Sequence, residues 1–240
     1  MSPKAIPQMV DTAEVLAQLD LSKTESKLLA IIANTRGAND ASVHNEIDYL
    51  GFPFSISENF QMRNTHKTIA QSVVTLSEIL EIADKSNKEV VVYISMGFGN
   101  PYGDPWVVDI VGEWTERLSK MGVKILSLSD TIGSSDPENI DYLFSNLIPT
   151  YQNIEFGAHL HTTPTTWFEK IDAAYKAGCR RFDGAIQGFG GCPMAKDDLT
   201  GNMPTEKMLS YFTQKKAHDL NAMSFESSYN EATKIFTQYH

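Results

Sequence analysis

Six times along this chain a short apolar run is followed by a stretch whose apolar residues recur at the helical period. Strand-then-helix repetition of this kind requires parallel strands joined by crossovers, and so an α/β fold. The runs fall at 27–33, 46–50, 89–96, 123–128, 154–159 and 181–185, and Val90-Val91-Val92-Tyr93-Ile94 is the clearest of them. The helical stretches fall at 38–43, 65–85, 105–121, 137–148, 164–177 and 205–216. In the longest, Ile69, Val73, Leu76, Leu80 and Ala83 share one face. In 105–121 the stripe is Val107, Val111, Trp114, Leu118 and Met121, and Gly122 is placed to end the helix. One further helix precedes the first run, with capping-box spacing at Asp11 and Glu14. A helical tail carrying Phe225, Tyr229, Ala232 and Phe236 follows the last unit.

No GxGxxG turn follows any strand, so an open dinucleotide-binding sheet gains no support. A closed barrel of eight strand–helix units takes about 250 residues. Six units behind an unpaired helix match such a (β/α)8 TIM barrel lacking its first strand, first helix and second strand. Residues 1–240 then form a single, incomplete catalytic domain with a helical tail. The gap leaves strand edges unpaired, so the 240-residue chain is expected to be poorly stable or inactive alone.

The formal net charge of −10 argues against non-specific nucleic-acid binding. No stretch approaches the roughly 20 apolar residues of a membrane span, and the first seven residues do not resemble a secretory leader. With two cysteines and no disulfide framework, a cytoplasmic protein is expected.

In a βα-barrel, functional groups gather at the C-terminal ends of the strands. His159 and His161 stand there two residues apart, a spacing that turns both side chains to one face. They read either as two metal ligands or as polar residues bonded to their neighbours. Gly188-Phe189-Gly190-Gly191-Cys192-Pro193 is a loop able to approach a ligand closely, with a thiol at its tip; it reads equally as a turn with an incidental cysteine. Cys179 reads as structural. Asn202 sits beside Gly201, just outside the helix opened by Pro204 and Thr205, where an Asx-type turn is the bland account. Asp130 ends a strand and could equally cap the turn after it.

Taken together these segments resemble the hydroxymethylglutaryl-CoA lyase family, the acyl-CoA lyase branch of the metal-dependent barrels. The resemblance is carried by Ser2-Pro3-Lys4 with Pro7-Gln8-Met9, by Asn100-Pro101-Tyr102-Gly103 and by Ser127-Leu128-Ser129-Asp130-Thr131-Ile132-Gly133. His159-Leu160-His161, Gly188 to Ala195, Gly201-Asn202 and Thr205-Glu206 follow in the family's order. It implies that His159, His161 and Asn202 ligate a divalent metal, Mg²⁺ or Mn²⁺. Cys192 would close over the site and take part in proton transfer, while Asp130 and Glu206 orient groups around it. Ser2, Lys4, Gly190 and Gly191 would meet the acyl-CoA substrate. The implied reaction cleaves 3-hydroxy-3-methylglutaryl-CoA, or a related 3-hydroxyacyl-CoA, to acetyl-CoA and acetoacetate. Homodimer formation is a further expectation, with no interface legible in the sequence.

Three departures stand out. The Arg-Asp pair that ends the family's first strand is not present, Thr162 stands where an acidic or amide residue usually follows the second histidine, and Gly99-Asn100-Pro101-Tyr102 replaces Gly-Cys-Pro-Tyr. Two rival readings therefore stand beside the lyase. One is a related enzyme condensing acetyl-CoA with a 2-oxo acid; the other is an inactive barrel remnant completed by another chain.

Overall fold

The computed structural model describes residues 7–192 and 200–236. A short helix, α1 (Thr12–Ala17), precedes β1 (Leu28–Ile31), α2 (Thr35–Ser42), β2 (Ile47–Ser55), α3 (Glu58–Thr65) and α4 (Ile69–Lys85). Next come β3 (Glu89–Ser95), α5 (Val108–Lys120), β4 (Ile125–Ser129), α6 (Pro137–Thr150) and β5 (Glu155–His159). The chain continues through β6 (His161–Thr162), α7 (Trp167–Lys176), β7 (Arg181–Phe182), β8 (Gly201–Asn202), α8 (Thr205–Lys215) and α9 (Ala222–Phe236).

Six strands form one parallel sheet in the order β1-β2-β3-β4-β5-β7, each beside the next in sequence. Winding always in one direction curls the sheet, and the result is a half-barrel of TIM type. Among the described residues β1 and β7 are its two edges. Strands β6 and β8 pair separately, antiparallel, above the end of β5.

Side chains alternate across the curl. Leu50, Phe52 and Phe54, Val90, Val92 and Ile94, Leu126 and Leu128, and Phe156 and Ala158 face outward into one buried cluster. The helices supply the other half of that cluster, among them Leu76, Ile79, Val111, Leu118, Ile140, Phe144 and Ile171. Each such side chain contributes roughly 1.5–3 kcal/mol of transfer free energy. The alternate residues Tyr49, Tyr93, Ser127, Gly157 and His159 line the concave face instead. Two helices begin on capping boxes, Thr68 with Gln71 and Asp136 with Asn139.

Three elements differ most from the sequence-based reading, one being the last sheet strand, expected over 181–185 but ending at Phe182. The helix expected over 65–85 starts at Ile69, and a separate α3 precedes it, stopped by His66 in the left-handed region at φ 56°. Only Phe60 and Gln61 of α3 are buried, so it presents no apolar stripe to read. Strand β2 runs on to Ser55 through Gly51 and Pro53, which look like breakers. Proline is tolerated there because the β1 ladder ends at Gly51, leaving no partner strand on that side.

Candidate active site

Strand β5 ends in His159, and two residues later His161 opens the two-residue ladder with β8. The register pairs His161 with Asn202 and Thr162 with Gly201. The two imidazole rings lie 5.5 Å apart between centroids, tilted by 56°. Two imidazoles sharing one ion at about 2.1 Å per bond place their centroids roughly 4.6–5.4 Å apart, so this pair is close to ligating separation.

Each of the three side chains has one donor atom left over. His159 Nδ1 is 3.1 Å from Asp183 Oδ2, which leaves Nε2. His161 is buried, and its Nδ1 has no hydrogen-bond partner among the described residues. Asn202 Nδ2 donates to the Phe189 carbonyl at 2.7 Å, which leaves Oδ1. An orphaned buried imidazole nitrogen costs free energy unless something occupies its lone pair, and two imidazoles with an amide oxygen suit a divalent ion. The residues therefore fit a metal, with its remaining positions left to other donors. Among the described residues no group of three or more His, Cys, Asp or Glu gathers as a complete site. Burial first, and the adjacent His159 ring second, lower the pKa of His161, keeping it in the neutral form that ligation requires.

The Asp130 carboxylate lies near enough for its charge to act on the His161 ring. It is fully buried, accepts from Ser135 N at 3.0 Å and Ser135 Oγ at 2.5 Å, and pairs with Lys170 Nζ at 2.8 Å. Lys170 also donates to the carbonyls of His161 at 2.9 Å and Gly133 at 3.2 Å. The ion pair thus fixes the backbone that carries His161. The sequence reading passed over Lys170, yet a lysine inside the Trp167–Ile171–Ala174 stripe of α7 is a signal that it is buried and paired.

Glu206, in the first turn of α8, accepts from Gln187 N at 2.9 Å. Gln187 has φ 61° and opens the glycine loop, so Glu206 holds the loop's base. Gly190 and Gly191 both have positive φ, and their open faces abut Asn202 Nδ2 and Thr200 O, where a Cβ would come within 2.9 and 3.1 Å. The loop therefore lies flat on 200–202, and Phe189 stacks on Phe236 of α9 at 4.2 Å. Cys192 is a free, half-buried thiol at the loop's end. Cys179 is buried, with its thiol pushed up to about 12 by burial, as suits a structural cysteine. Ser2, Lys4 and the segment Pro193 to Ala195 lie outside the described residues.

Asp183 was also missed by the sequence reading. Besides His159 it accepts from Ser127 Oγ at 3.3 Å, and its own N–H bonds Ala158 O at 3.0 Å. Tyr93 meets the His159 ring edge-on at 5.5 Å, and burial, then the Asp183 charge, raise its phenol pKa above the usual value. An acidic residue within the short run 181–185 was the available signal.

The HMGL-like family profile matches residues 4–229. The chain belongs to the HMGL-like family. Members of this family are in general dependent on a divalent metal. The hydroxymethylglutaryl-CoA lyase of Bacillus subtilis is 30% identical over 212 residues, which are 88% of this chain and 70% of that protein. The HMG-CoA lyase structure from Brucella melitensis superposes with a TM-score of 0.84 at 26% identity, covering 97% of this chain and 82% of that one. An HMG-CoA lyase from Acinetobacter baumannii, solved with coenzyme A and 3-methylmalate, gives 0.80 at 28% identity over 91% of this chain and 70% of that one. As a member of the HMGL-like family, the chain is of a lyase type, and the half-barrel corresponds to part of the TIM barrel of these neighbours. No helix among the described residues is long and apolar enough to cross a membrane.

Proposed function

We propose that the protein is a carbon–carbon lyase that cleaves 3-hydroxy-3-methylglutaryl-CoA, or a closely related 3-hydroxyacyl-CoA, to acetyl-CoA and a 3-oxo acid. The observation that carries this reading is the pairing of His161 with Asn202 in the β6–β8 register, beside the ring of His159. His159, His161 and the Asn202 amide oxygen would hold Mg²⁺ or Mn²⁺. Such an ion supplies Lewis acidity toward the substrate's hydroxyl and carboxylate oxygens.

In the cleavage the 3-hydroxyl passes its proton to a solvent water and its oxygen becomes a carbonyl. The C2–C3 bond breaks, and its electron pair leaves on the thioester as an enolate. Cys192 delivers a proton to the enolate carbon, completing acetyl-CoA, and the thiolate takes up the proton released to solvent. Glu206 and Asn202 hold the glycine loop so that this thiol meets the substrate. Asp130 acts at one remove, through Lys170 and the His161 backbone. Ser2, Lys4, Gly190 and Gly191 contact the acyl-CoA.

The test is product analysis by mass spectrometry after incubation with 3-hydroxy-3-methylglutaryl-CoA and Mg²⁺. Acetyl-CoA and acetoacetate in equal amounts support the reading. Intact substrate, with product formed only from acetyl-CoA plus a 2-oxo acid, contradicts it.

A further inference from the structure

Asp183 stands outside the ligand set, yet three groups of the concave face converge on it. Its Oδ2 lies 3.1 Å from His159 Nδ1 and accepts from Ser127 Oγ at 3.3 Å. The phenol of Tyr93 lies close enough for the carboxylate to raise its pKa. The carboxylate is itself anchored, because the Asp183 N–H bonds Ala158 O, one residue before His159. The His159 ring is further confined by the edge of Tyr93 at 5.5 Å and 84°. These side chains come from neighbouring strands: Tyr93 and Ser127 are register partners in β3 and β4, while Ala158 pairs with Phe182 across β5 and β7.

A carboxylate can only accept, so a neutral imidazole bonded to it must carry its proton on Nδ1. The lone pair is then confined to Nε2, the only ring nitrogen free to meet a cation. A carboxylate behind an imidazole also raises its basicity as a ligand. His161 has no such partner at Nδ1, so the two histidines are set by different means: Asp183 fixes the ring of His159, and burial with the Lys170-held backbone fixes that of His161.

We propose that Asp183 is a positioning residue that locks His159 in its Nδ1–H tautomer and so presents Nε2 to the divalent ion. This rests on the reading of His159 as a metal ligand. Ser127 and Tyr93 keep the Asp183 carboxylate and the His159 ring in register.

The experiment uses ¹⁵N-histidine-labelled protein, first metal-free and then titrated with Mn²⁺. Imidazole ¹⁵N shifts report the tautomer directly, and electron paramagnetic resonance of unbound Mn²⁺ gives the dissociation constant. Wild-type protein should show His159 as Nδ1–H. Asp183→Ala should populate the Nε2–H form and weaken Mn²⁺ binding by roughly 10- to 100-fold. Asp183→Asn, which preserves shape and an acceptor oxygen, should retain the tautomer with a smaller loss of affinity, so the assignment survives if the alanine variant does not fold. Ser127→Ala should leave the tautomer unchanged. His159 found as Nε2–H in wild type, or Mn²⁺ bound equally by wild type and Asp183→Ala, overturns the proposal alone. Wild-type protein that binds no Mn²⁺ overturns the metal reading, and the proposal with it.

Discussion

His161 and Asn202 face each other across a two-residue antiparallel ladder, 41 positions apart in sequence (202 minus 161), and the Asn202 amide nitrogen is already committed to Phe189 O at 2.7 Å. One bond therefore ties the glycine loop to the strand that pairs with His161 and leaves Oδ1 of the same amide uncommitted by it. Asn202→Ala removes both. Mn²⁺ affinity should fall at least about tenfold, whereas Asn202→Asp, which retains an oxygen donor and adds charge, should bind no worse than wild type. Calorimetric titration checks this, and equal affinity in the alanine variant would remove Asn202 from the ligand set.

Lys170→Met strands the fully buried Asp130 carboxylate and withdraws the donor from the His161 carbonyl. Breaking one side of a buried pair costs about 3–5 kcal/mol. Urea unfolding should show a loss of that size. A loss below about 1 kcal/mol, the usual worth of an exposed pair, would mean the pair does not organise the fold.

Cys192→Ser should lower kcat on 3-hydroxy-3-methylglutaryl-CoA by about 10²- to 10⁴-fold, the usual contribution of a positioned proton donor. Mn²⁺ affinity should be untouched, since the thiol belongs to the loop and not to the ligand set. Turnover at the wild-type rate would exclude it from proton transfer.

Acid should loosen the contact between the β3–α5 segment and the start of α3. The Ser57 hydroxyl, opposed by burial and then joined by the Asn59 amides, holds the Asp104 carboxyl below its ordinary value. A carboxyl whose folded pKa is depressed contributes stability above its unfolded pKa of about 3.9, and that contribution disappears as pH falls through the folded value. Hydrogen exchange of α3 should therefore accelerate below about pH 4, and the gap between wild type and Asp104→Asn should close there. A constant gap from pH 7 to about pH 3 would show that Asp104 does not titrate against α3.

What could be read from the sequence follows how far apart the interacting residues lie. Helices such as α4 and α5, with their stripes and caps, depend on neighbours three or four positions away, and strands such as β3 on their own β-branched runs. Helix α3 has no stripe, and β2 continues through Gly51 and Pro53 only because β1 ends beside it. His159, His161 and Asn202 were legible as candidates through their spacing and family resemblance. Their supports were not: Lys170 meets Asp130 across 40 residues, and Asp183 meets His159 across 24. Such partners are chosen by sheet order and helix packing, which a local pattern does not contain. For the same reason the pairing of Asp130 with Ser135 and Lys170 was not legible from its place at a strand end.

The central claim is that His159, His161 and Asn202 converge on one divalent ion. Anomalous diffraction from a crystal grown with Mn²⁺ tests it most directly. The account predicts a single strong peak about 2.1 Å from a nitrogen of each histidine and from Asn202 Oδ1. A peak bonded to other residues, or none at full Mn²⁺ saturation, would contradict it.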